Sequence, residues 1–160
     1  MLQQNVAKKN ERNVLVFELL DEEMALDASC VREVIEPQEI RPILQAPDFI
    51  EGLINVRRFY VVAISLRKRF NIKSMDGSAR IRVIICKINK VIIGLIVDNV
   101  TEVLSVPVSS IQPAPEILSA QKKGSCLSGI IRVGERTITL LDLEKILTPG
   151  ELANLSGMRV

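Results

Sequence analysis

Val31-Arg-Glu-Val-Ile35 returns as Val100-Thr-Glu-Val-Leu104 at an offset of 69 residues, and the return is not isolated. Ile40-Arg-Pro42 matches Ile111-Gln-Pro113 at 71. Gly52-Leu-Ile-Asn-Val56 matches Gly129-Ile-Ile-Arg-Val133 at 77, and Ser65-Leu66-Arg-Lys68 matches Asp142-Leu143-Glu-Lys145 at the same 77. A lag that lengthens only where loops grow indicates one supersecondary unit used twice. The 160 residues thus hold two units of roughly 65 residues. Neither is large enough to bury a comfortable core alone, so a shared apolar seam is expected.

The units read as short strands and turns. Val14-Leu-Val-Phe-Glu-Leu-Leu20, with Asp21-Glu22-Glu23 as a loop before Met24-Ala-Leu, has the grammar of a hairpin. Arg82 to Ile88, Asn89-Lys90, then Val91 to Val97 repeats it. Gly129 to Val133, Gly134-Glu135, then Arg136 to Leu140 repeats it again with a Gly-first turn suited to the strand twist. With 20 Ile and 17 Val, β-branched side chains favour an all-β fold. Helical signals are short: Leu66 to Phe70 after Ser65 and Leu143 to Leu147 after Asp142, each opened by a residue able to cap a first turn. Thr148-Pro149-Gly150-Glu151 has capping-box spacing, which predicts a terminal helix from about Pro149 to Leu155, ended by Gly157. The polar residues 1–12 read as a tail, 13–148 as one domain of two intertwined units with a break near 74–79 at Met75-Asp76-Gly77-Ser78, and 149–160 as the terminal helix and tail. The Pro-containing stretches from Pro37 to Pro47 and Pro107 to Pro115 read as loops between strands.

Composition narrows the chemistry. The chain has no His, which removes the commonest general base near neutral pH and the commonest zinc ligand. Cys30, Cys86 and Cys126 form no Cys-x-x-Cys pair and read as small buried hydrophobes in a reducing compartment. Asp21, Glu22 and Glu23 read as solvated loop acids, with a carboxylate-based hydrolase as the sharper alternative. Gly124-Ser125-Cys126 lacks nucleophile-elbow spacing, and the eight Gly form no phosphate loop. A net charge of +2 selects for no polyanion, and aromatics at 3% leave few stacking platforms. Between Glu51 and Asp76, however, Arg57, Arg58, Arg67, Lys68, Arg69 and Lys73 occur with no acid among them. The span 57–73 is either a solvated face or a binding surface, and a small nucleic-acid-binding barrel is the alternative reading it supports. The N-terminus carries no apolar leader and no stretch approaches 18 apolar residues, the expectation being a soluble, cytoplasmic protein.

Four segments in order resemble the CheW-like family. They are Asp48-Phe49-Ile50-Glu51-Gly52-Leu-Ile-Asn55-Val56-Arg57, Ile64-Ser65-Leu66-Arg67-Lys68-Arg69-Phe70, Gly94-Leu95-Ile96-Val97-Asp98-Asn99-Val100 and Ile111-Gln-Pro113-Ala-Pro115-Glu116. The resemblance spans about residues 13–148. It implies an all-β fold of two five-stranded SH3-like β-barrel subdomains, with no catalysis, cofactor or metal. It also implies an adaptor that joins the cytoplasmic tips of chemoreceptors to the regulatory domain of the CheA histidine kinase. Such an adaptor is associated with membrane-bound receptor arrays through its partners and binds no nucleic acid. The family's receptor- and kinase-binding residues carry over to Arg57, Val31, Glu33, Gly52, Val100 and Val103. Taken as residues alone, Val31, Val100 and Val103 suit a core equally, Gly52 a backbone conformation, and Glu33 a local pair with Arg57. An Arg flanked by apolar residues suits an interface anchor. The sequence departs from the family pattern at Arg58, which replaces a Gly, at Val62, which replaces a Pro, and at Ser65, which replaces an Asp. Ser65 can keep the helix cap, whereas Arg58 either takes on backbone strain or marks a shifted turn.

Overall fold

Val91–Val97 is apolar at all seven positions, so this strand has no face to offer to water and must be covered on both sides. The structure, a computed structural model, describes residues 10–72, 81–113 and 126–157, with the backbone alone at 156 and 157. The expected break near 74–79, Lys73, Pro115-Glu116 and Gly124-Ser125 lie outside the described residues. The strands are β1 Glu11–Leu19, β2 Glu22–Asp27, β3 Val31–Ile35, β4 Ile40–Arg41, β5 Ile50–Val56 and β6 Phe59–Ser65, followed by a helical turn, α1, at Leu66–Arg69. Then come β7 Arg82–Ile88, β8 Val91–Val97, β9 Asn99–Pro107, β10 Ile111–Pro113, β11 Leu127–Val133, β12 Arg136–Leu141 and the helix α2 Pro149–Gly157. Because β1 begins at Glu11, the last two residues assigned to the tail belong to a sheet. No helix among the described residues is long and apolar enough to cross a membrane.

Two sheets form, in the orders β3-β7-β8-β6-β5-β4 and β9-β1-β2-β12-β11-β10. They are the same sheet twice. Each strand of the first has its counterpart in the second, and the pairing of β6 with β8 and of β12 with β2 is parallel in both. The repeat therefore extends to hairpins that sequence comparison had not matched: β1-β2 corresponds to β7-β8, and their turn residues Leu20 and Asn89, 69 apart, share φ values of 55° and 53°. Each sheet takes four strands from one half of the chain and its central hairpin from the other half. The two-unit all-β architecture is as expected, and the short β4 and β10 bring each unit to six strands. The first turn is Leu20-Asp21, so Glu22 and Glu23 stand on β2 instead of in the loop assigned to them.

Alternation along the hairpins sends side chains into different cores. Leu15, Phe17 and Leu19 of β1 join Ile84, Cys86 and Ile88 of β7 and Ile93, Leu95 and Val97 of β8 in the cluster between the sheets. The opposite faces go elsewhere. Val14 and Val16 lie with Val106, Ile131, Ile138 and Leu140, and Val83 and Ile85 lie with Ile54 and Ala63. These outer cores include residues from both edges of their sheets, Leu104 with Ile111 and Ile35 with Ile40, so each sheet curls around its own interior. The capping residues behave as their chemistry predicts: the Ser65 hydroxyl accepts from the Lys68 N–H, and the Asp142 carboxylate from the Glu144 N–H.

The repeated Gly has a steric cause. β5 bulges between Ile50 and Gly52, and β11 bulges between Leu127 and Gly129. A Cβ on Gly52 would stand 2.1 Å from the Arg41 carbonyl oxygen, and one on Gly129 would stand 2.7 Å from that of Gln112. Both glycines let a short edge strand close over the sheet. Gly52 also has φ +146°, a conformation that opposes any side chain. Gly52→Ala is expected to destabilise the protein by about 2–4 kcal/mol in urea titration. Gly129→Ala, without the backbone penalty, is expected to cost less.

Candidate interaction surface

The β5-β6 hairpin turns through Arg57-Arg58, and the positive φ falls on Arg57, at 61°. Arg58, the residue at which a Gly was missed, is relaxed. The counterpart of Arg57 at the offset of 77 is Gly134, whose φ is also 61°. The second unit thus uses the residue that the geometry favours, whereas the first holds an arginine there at a cost of about 1 kcal/mol. Its side chain is 78% exposed and its Nη2 lies 3.3 Å from Glu33 Oε2. In the free chain Arg57 is therefore accessible and loosely paired, a contact of small energetic weight.

Around this tip the surface is apolar. Phe59 is 76% exposed, and Val34 and Tyr60 also reach the surface. The Arg41 guanidinium stands 6.0 Å from the Tyr60 ring centroid. The chain has only four Phe and one Tyr, and two of these five sit on an exposed hairpin directly after two arginines. That adjacency of two arginines and two aromatics is the sequence signal of the exposed tip. The second unit mirrors the arrangement. Glu102, counterpart of Glu33, accepts from Arg136 at 2.9 Å, and Val103, counterpart of Val34, is 61% exposed. Arg136 also grips Glu23 through two hydrogen bonds of 2.8 and 3.1 Å. The Arg136 hydrogen bonds hold the Glu23 carboxyl below its ordinary value, against a smaller opposing effect of burial.

The structure distributes the six carried-over residues unevenly. Arg57 and Glu33 meet, and Val103 is open to a partner. Val31 and Val100 are half-buried against the cluster between the sheets, and Gly52 is enclosed beneath β4. Between the two units lies a shallow apolar hollow of about 320 Å³, where Leu20 and Met24 of the first hairpin face Phe70, Ile72 and Leu127.

The basic span resolves into ion pairs. Arg67 Nε donates to Asp98 Oδ1 at 2.7 Å, and its Nη2 donates to the other oxygen. Asp98 accepts in addition from the Leu20 N–H at 2.7 Å. Lys68 Nζ lies 2.7 Å from Glu51, and Arg69 holds Glu151. With Arg57 on Glu33, four of the six cations are committed to carboxylates contributed from outside the span, which is why the local sequence displayed no acid near them. The hydrogen bond to Asp98 raises the Arg67 pKa and the one to Glu51 raises that of Lys68. Among the described residues, no three His, Cys, Asp or Glu are grouped to hold a metal. Burial pushes the Cys86 thiol up to about 12 and raises that of Cys126, so neither is a thiolate at neutral pH.

The CheW-like domain model matches residues 13–151. The chain is 34% identical to the chemotaxis protein CheW of Klebsiella aerogenes over 139 residues, 87% of this chain and 83% of that one. It is 26% identical to the chemotaxis protein CheW of Treponema pallidum over 149 residues, 91% of this chain and 87% of that one. The crystal structure of the scaffolding protein TtCheW from Thermoanaerobacter tengcongensis superposes with a TM-score of 0.78 at 34% identity, covering 84% of this chain and 91% of that one.

Two outcomes test the tip and the ion pairs. Arg57→Gly is expected to be more stable than Arg57→Ala by about 1 kcal/mol in chemical denaturation, because both lose the Glu33 contact and only one loses the strain. The second outcome concerns pH. Since the folded pKa of Glu23 lies below its ordinary 4.5, its contribution is complete above that value and disappears as pH falls through the lower folded value. The loss of stability between pH 5 and 3 should therefore be shallower in Arg136→Gln than in the parent protein.

Proposed function

The chain belongs to the CheW-like domain family, and from that premise we propose that it is a non-catalytic chemotaxis adaptor that couples chemoreceptors to the CheA histidine kinase. In this reading one molecule holds the cytoplasmic tip of a receptor and the regulatory domain of the kinase at once, on separate faces of a rigid β scaffold, and works in the cytoplasm beside membrane-bound receptor arrays. The observation that carries it is the pair of unlike hairpin tips on like units. The first unit keeps Arg57 in a backbone conformation that its twin assigns to Gly134, and sets it beside exposed Phe59. Strain retained at an accessible residue, where a glycine would relieve it, supports a role for the side chain outside the fold.

The surfaces fit that work. A helical receptor tip docks by burying apolar side chains, and the hollow between Leu20, Met24, Phe70 and Leu127 is apolar and open. Exposed aromatic and arginine side chains at the β5-β6 tip have the composition of an interface centre. The nucleic-acid alternative loses much of its support, because Arg67, Lys68 and Arg69 are each paired with a carboxylate within the chain.

Purified protein, receptor fragment and kinase are expected to form a ternary complex at micromolar concentrations, with an altered rate of kinase autophosphorylation. Arg57→Ala should leave the circular dichroism unchanged and weaken binding of one partner about tenfold, or about 1.4 kcal/mol. An unfolded Arg57→Ala protein, or one that binds both partners normally, would count against the assignment. Val103→Asp tests the second unit in the same way and should affect the complex without lowering the melting temperature.

A further inference from the structure

The polar fastenings of helix α2 are at its first turn. Glu151 accepts from both terminal nitrogens of Arg69, at 3.1 and 3.3 Å, while Arg69 Nε donates to the Ile146 carbonyl at 2.8 Å and the guanidinium lies over the Phe49 ring at 4.7 Å. The same carboxylate accepts from the Thr148 N–H at 2.7 Å, and the Thr148 hydroxyl accepts from the Glu151 N–H at 3.1 Å. One carboxylate therefore both starts the helix and ties it to α1 of the other half of the chain. Among the described side chains past that turn, Leu155 is buried in the cluster between the sheets and Leu152 packs against it, while Ala153 and Asn154 are exposed. A helix of nine residues does not persist in water without its docking contacts.

We propose that α2 is a releasable strap over the seam between the two units, latched by Arg69 and Glu151 and able to leave while both sheets stay folded. What the strap covers is apolar and is at present occupied by a helix with leucines three residues apart. A partner helix with small or branched apolar residues at that spacing would compete with α2 for the same strip. The neighbours of Arg69 on α1 do not oppose release, since Arg67 and Lys68 hold Asp98 and Glu51 instead.

Hydrogen exchange on the full chain, followed by mass spectrometry, tests this directly. In the parent protein, amides of 150–157 should exchange at least tenfold faster than those of β1 and β7. In Glu151→Gln the helix amides should gain about another tenfold while strand protection is unchanged, and the emission of anilinonaphthalenesulfonate should rise as the strip is uncovered. Helix and strand amides exchanging together in the parent protein would overturn the proposal. So would a Glu151→Gln protein whose helix exchange and dye emission match the parent. Should Glu151→Gln fail to fold, the parent protein's own exchange pattern still decides the question.

Discussion

Everything in this fold depends on two hairpins, β1-β2 and β7-β8, that are buried on both faces and lodged in the half of the chain to which they do not belong. Each lies between strands of the other repeat, with one face in the cluster between the sheets and the other inside its curled sheet. A strand in that position cannot alternate apolar and polar residues, and the run Val91 to Val97 does not. The exchange also explains how units of such modest size are stable: neither half contains a complete sheet, so association of the halves and folding are one event.

The three cations of α1 show how a local sequence can mislead about charge. Arg67, Lys68 and Arg69 are consecutive, yet each takes a carboxylate from a different part of the chain: Asp98 at the end of β8, Glu51 on the β5 bulge and Glu151 on α2. A single helical turn fans three neighbours in three directions, so a block of charge in sequence becomes three separate fastenings in space. The Arg67 pair also secures the strained Leu20 turn through Asp98, which fixes the rim of the apolar hollow. Placement of a candidate docking site is thereby linked to an ion pair that touches no partner.

What could be read from the sequence was whatever depends on neighbours along the chain. The hairpin turns at Asn89-Lys90 and Gly134-Glu135, the caps at Ser65, Asp142 and Thr148, and the repeated bulge glycines Gly52 and Gly129 were all legible because their causes lie within a few residues. The exchange of hairpins was not, since β1 and β7 share little beyond apolar character and their correspondence appears only in register and sheet order. At the candidate site, Arg57 and the chance of its pairing with Glu33 were legible. The position of the strain was not: the missing glycine at Arg58 drew attention one residue too far along, and only a φ value distinguishes the two. Val31, Val100 and Val103 have the same residue type and similar neighbours, and their different exposures follow from which face of an edge strand each occupies.

The pairing of Glu11 with Pro107 at the outset of β1 has a consequence for biosynthesis. Synthesis delivers β1-β2 well before the strands on either side of that hairpin, β9 at Asn99–Pro107 and β12 at Arg136–Leu141. The chain as far as β12 must emerge before this apolar segment can be enclosed, and a fold dominated by such distant pairings closes slowly. The β1-β2 hairpin thus stays without its neighbours for the interval that separates its own synthesis from that of β12.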